Sequence, residues 1–110
     1  MENPAEIETI RAKLADEIKA FDPATHRHKI SDWNAALLAD FQAALIDPTL
    51  IEVNLPGGVS DFAYAVTRSN GAYRVIYLPW IELFSLAVES KFGPLDINVH
   101  GDAIGCFSSV

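Results

Sequence analysis

The sequence contains a single cysteine, Cys106, in 110 residues. One cysteine excludes an internal disulfide framework and a zinc site built on thiolates. Long apolar runs are also missing. The longest candidate, Leu78 to Val88, is broken by Pro79, Glu82 and Ser85, and a helix that crosses a bilayer needs ~18 uninterrupted apolar residues. The first residues are acidic and polar, without the basic and apolar stretches of a secretory leader. A lone cysteine and no leader make the cytoplasm the expected location, with no membrane partner.

Positive charge is scarce. Lys and Arg number 8 against 15 Asp and Glu, for a net charge of −7. Between Lys29 and Arg68 there is no basic residue, while Asp32, Asp40, Asp47, Glu52 and Asp61 fall in that interval. Binding to a phosphate backbone relies on Lys and Arg, so nucleic acid is not an expected partner. A basic protein surface is the natural complement of such a segment. Pro56-Gly57-Gly58 precedes a strand pattern and lacks the lysine and hydroxyl of a phosphate loop. His26 and His28 sit in a polar loop with no third ligand nearby in sequence. No cofactor or metal is expected.

What is present reads as one α+β domain over residues 1–110. Half of the residues are hydrophobic, enough for a core at this length. The clearest local signal is Ser60 to Pro79, SDFAYAVTRSNGAYRVIYLP. Asn70-Gly71 between two β-rich runs predicts a two-residue hairpin turn, because both residues tolerate positive φ. That turn sets the register. Tyr64 faces Tyr77, Ala65 faces Ile76 and Val66 faces Val75. Alternation puts Phe62, Tyr64, Val66, Tyr73, Val75 and Tyr77 on one face and Ala63, Ala65, Ile76 and Leu78 on the other. The alanine face looks shallow enough for a helix to dock.

Asn3-Pro4-Ala5-Glu6 starts a helix with a cap, a proline at the first position and an acidic first turn. Ile7, Ile10, Leu14, Ile18 and Phe21 make its apolar stripe. Asp22-Pro23 ends it. A second helix, capped by Ser31 or Asp32, runs to about Leu45. Trp33, Leu37, Leu38, Phe41, Ala44 and Leu45 face inward, Asn34 faces out, and Asp47-Pro48 is the stop. Leu50 to Leu55 alternates as a half-exposed strand. Pro79-Trp80 then predicts a helix to about Phe92, closed by Gly93-Pro94. Leu95 to Val99 alternates again. Gly101-Asp102 reads as a hairpin turn leading to a last strand over 103–108. The expected order is ααβββαββ: a mostly antiparallel sheet of about five strands with helices packed on one face.

No stretch carries a catalytic signature. His100, Asp102 and Cys106 lie close in sequence, but the hairpin register offsets the histidine from the cysteine and turns Cys106 toward Ile97, as an inert buried thiol. Two functional readings follow. The first is a small acidic accessory, inhibitor or immunity-type protein that works by protein–protein contact, with a homodimer as one form it could take. Its anchors would be Trp33, Tyr64, Tyr73, Tyr77 or Trp80, because aromatics dominate interface energies. The second is a small enzyme or ligand-binding domain. Its pocket would lie between the sheet and the helix over 80–92, with Asp61, Arg74, His100 and Asp102 as polar groups.

Overall fold

The computed structural model describes residues 2–22, 24, 31–69 and 71–109, with backbone only for Ser31 and Asp32. The chain begins with α1 (Pro4–Ala20). Asn3 caps it as its residue types predict, its side chain accepting from the amides of Ala5 and Glu6. The backbone N–H of Asn3 donates to the Tyr64 hydroxyl at 2.9 Å, which ties the helix start to the sheet. Ile10 and Leu14 are buried, and Ile7, Ile18 and Phe21 pack around them. The histidine loop lies outside the described residues.

Next comes α2 (Ser31–Ala44). Phe41 and Ala44 enter the core, with Leu37 and Leu38 beside them. Two expectations for this helix are overturned. Trp33 is 60% exposed, whereas Asn34 is fully buried. The departure is confined to the start of the helix, since Leu37, Leu38, Phe41 and Ala44 lie on the predicted side.

The helix ends at Ala44, before the proline. β1 (Leu45–Leu55) starts at once, carrying Asp47-Pro48 inside it. Its pairing with β2 shifts between Leu45 and Thr49. Pro48 sits in that irregular stretch, where a missing N–H interrupts no ladder. Gly57 and Gly58, at φ 94° and 82°, turn the chain into β2 (Val59–Thr67).

β2 pairs with β3 (Tyr73–Leu78) in the expected register, Tyr64 opposite Tyr77 and Ala65 opposite Ile76. Near the turn the strands part. The Thr67 hydroxyl takes the place of a backbone acceptor for the Val75 amide, at 2.9 Å. Asn70 lies outside the described residues.

The region after β3 departs most from expectation. Residues 79–82 form a turn, and β4 (Leu83–Ser90) is a strand, not a helix. It pairs along its length with β3, from Leu78 opposite Leu83 to Tyr73 opposite Val88. The reason is that both faces of β4 are covered. Phe84 and Leu86 join the helix-side core, while Ala87 joins the other cluster. A strand buried on both faces has no alternation, so its apolar run resembles a helix.

A tight turn at Lys91-Phe92 leads into β5 (Gly93–Asp96), which pairs antiparallel with β4. Leu95 also lies opposite Asn54 in a parallel pairing that brings β5 against β1. The five strands thereby close into a small barrel in the order β1-β2-β3-β4-β5. The Asn54 amide donates to the Phe92 carbonyl at 2.9 Å and reinforces that seam.

The predicted final hairpin is absent. Gly101 makes one isolated bridge to Phe84. Asp102 then caps α3 (Ala103–Ser108), its carboxylate accepting from the Gly105 amide at 2.8 Å. The observed order is therefore ααβββββα, mixed α+β with a mostly antiparallel sheet.

The hairpin has the two faces that alternation predicts, but the helix expected on the alanine face is not there. The helices dock on the aromatic face. Tyr64, Val66, Val75, Tyr77, Phe84 and Leu86 share a core with Ile10, Leu14, Phe41 and the α3 residues Ile104 and Phe107. Edge-to-face ring pairs mark it: Phe41 with Phe107 at 5.4 Å and Tyr77 with Phe84 at 5.1 Å. The alanine face lines the barrel interior. Val53, Ala63, Ile76, Leu78 and Ala87 cluster there without any helix residue. A five-stranded barrel has a narrow bore, and small side chains are what fit.

Candidate functional site

The expected site residues are scattered over the fold rather than gathered at one site. Tyr64 and Tyr77 are buried, at 1% and 3% exposure, and serve the core rather than a surface. Burial raises both phenol pKa values. Tyr73 packs half-buried at the core margin. Arg74 pairs through Nε with Glu89 Oε1 at 2.8 Å on the adjacent strand, and Ser69 bridges the two. That contact joins the turn end of β3 to β4 and uses the guanidinium that an anion would need. Trp33 is exposed on α2 and Trp80 on the β3–β4 turn.

His100 approaches Asp96, Nε2 to Oδ2 at 3.6 Å. Asp96 is 4% exposed. Its Oδ1 accepts from Ser85 Oγ at 2.5 Å and from the Asn98 amide at 3.0 Å. Serine, histidine and aspartate thus meet, but in the wrong order for a nucleophile. The hydroxyl donates to the carboxylate rather than to the imidazole, and Ser85 has no exposed surface. The cluster satisfies a buried carboxylate inside the barrel, as burial demands. Ser85 and Asp96 were missed in the sequence because they appear there as the polar positions of two unrelated patterns.

Asp102 serves α3 as its cap. A second carboxylate completes that work from far away. Glu17 of α1 accepts from the Ala103 amide at 2.9 Å and the Ile104 amide at 3.0 Å. Burial raises the Glu17 pKa, partly offset by those two amides. Cys106 is buried, and its Sγ lies 3.2 Å from the Val99 carbonyl, to which it donates. Burial, with Asp102 and Glu17 nearby, pushes its thiol up to about 12. Such a thiol is inert at neutral pH. Asp61 is exposed and accepts from the Phe62 amide. The pocket expected beneath a helix over 80–92 has no such helix to form it. Among the described residues, no hydrogen bond or ion pair joins any two of Asp61, Arg74, His100 and Asp102.

What the fold does bring together is a groove that the sequence did not announce. One side of α1 faces the β3–β4 turn across two clefts, of about 280 and 380 Å³. Ala5, Glu6, Thr9, Tyr77, Pro79 and Glu82 line the first. The second is bounded by Lys13, Asp16 and Glu17 on α1, and by Glu82, Leu83, Phe84, Gly101 and Asp102 opposite. Glu82 belongs to both. Positions 5, 9, 13 and 16–17 of a helix share one face, so the clefts follow one line along α1.

Exposed apolar side chains gather beside this groove. Trp80, Ile81 and Leu83 are 40% exposed or more, and all lie in or next to the turn. Phe62, 51% exposed, comes two residues before Tyr64, just as Pro79 comes two after its partner Tyr77. The pairing therefore carries Phe62 toward the same edge. Glu82 holds the turn with φ 54°, a left-handed backbone rare for a side chain of this kind. Its amide donates to the Leu78 carbonyl at 2.9 Å.

Among the described residues no helix is long and apolar enough to cross a membrane, and no group of three His, Cys, Asp or Glu is placed to hold a metal ion. The architecture defines a small α+β barrel with its helices on one side. No family model, curated protein or solved structure matches this chain.

Proposed function

We propose that this protein works by contact with another protein, as an accessory or inhibitor-type domain, through the edge formed by Phe62 and the β3–β4 turn. One observation carries the reading. The fold exposes Trp80, Ile81 and Leu83 within four consecutive residues and places a groove beside them. Adjacent exposed large apolar residues mark interfaces more often than chance, and tryptophan is the commonest interface anchor. Of the aromatic anchors expected from the sequence, Trp80 is the one retained here, and Trp33 lies on another element.

The test is capture on immobilised protein from its native source. Wild type and Trp33→Ala are expected to retain one stoichiometric protein partner that the double variant Trp80→Ala, Leu83→Ser loses, with unchanged circular dichroism. Equal capture by the double variant would assign the interface elsewhere.

A further inference from the structure

We infer that the partner segment is basic and amphipathic, lying along α1 with its apolar side on Trp80 and Leu83 and its cations toward Glu6, Asp16 and Glu82. This rests on the proposed contact function and adds the chemistry of the occupant. The groove supplies both halves of the match. Its apolar lining is Ala5, Tyr77, Pro79, Leu83 and Phe84, while its charged lining is carboxylates except for Lys13. Glu17 and Asp102 already accept backbone bonds from α3. Their negative charge still adds to the field at that end of the groove.

Dimensions narrow the occupant. From Ala5 to Glu17 the helix rises about 18 Å. That length accepts about three turns of a partner helix, or about six residues of extended chain. The carboxylates are spread along it, with Glu6 near one end, Asp16 toward the other and Glu82 in both clefts. A segment with two or three cations on one side and one or two large apolar residues on the other fits this pattern. A second copy of the chain fits poorly. Each copy carries a net charge of −7, so the like-charged molecules repel.

The probe is a 14-residue amphipathic peptide of leucine and lysine, compared with its leucine and glutamate counterpart. Binding is read from Trp80 fluorescence in a Trp33→Phe background. The lysine peptide is expected to bind with one-to-one stoichiometry, and to weaken as salt rises toward 0.5 M. The Glu6→Gln, Glu82→Gln double variant should weaken it about two- to fivefold per carboxylate, and Leu83→Ser by about tenfold or more. Failure of the lysine peptide to bind at 0.15 M salt overturns the inference, as does equal binding of the two peptides. Either result leaves the capture experiment with Trp80→Ala, Leu83→Ser free to stand or fall by itself. Concentration-dependent dimers that block the peptide would identify a second copy as the occupant and also overturn it.

Discussion

Glu17 shows how much one side chain can organise at a distance. In the sequence it is one of several acidic positions on the polar side of a helix. In the fold it holds two amides of α3, 86 and 87 residues away. Its pKa is raised by burial, which sets the sign of a pH effect. Between the ordinary carboxyl value, about 4.3, and the raised one, the native state keeps a proton that the unfolded chain has lost. Stability from this group therefore falls as pH rises through that interval. Urea denaturation from about pH 4 upward should show the wild-type curve declining relative to Glu17→Gln. Parallel curves would place the titration elsewhere. Cys106 offers a second residue-level check. A buried thiol with its pKa near 12 should resist a thiol reagent at pH 7 and become reactive in denaturant. Prompt labelling of the native protein would show that α3 opens readily.

Elements differ in how openly their sequences declare them. α1 was legible because cap, proline and apolar stripe agree, and the β2–β3 hairpin because its turn specifies a register. β4 was not, since LFSLAVES is buried on both faces and so loses the period of two. α3 reads as a strand in the sequence, although buried positions 103, 104, 106 and 107 have helical spacing and Asp102 is a good cap. The tight glycine preceding it suggested a hairpin instead. The barrel interior makes a prediction for β2. Ala63 has no exposed surface and shares its cluster with Ile76 and Ala87. Ala63→Leu should cost about 1–3 kcal/mol by overpacking a narrow bore, measured by chemical denaturation. A neutral result would mean that this face has room the barrel geometry denies.

For the whole molecule, the exposed turn matters more than any single residue beside it. In the sequence Trp80 stands only as one of five candidate anchors, and nothing there marks Ile81 or Leu83 as exposed. All three fall in the stretch that reads there as a helix over 80–92, and the groove beside them needs α1, the turn and the start of α3 together. The chain alone determined its α+β class, α1, the central register and the negative net charge, because these depend on neighbours a few residues apart or on composition. Closure of the barrel, the docking of the helices on the aromatic face and the placing of Tyr64 and Tyr77 in the core were decided only by tertiary structure. The physical reason is that hydropathy records how strongly a side chain avoids water, but not which element will cover it. That choice depends on the pairing of β5 with β1 and on the docking of three helices, contacts between residues far apart along the chain.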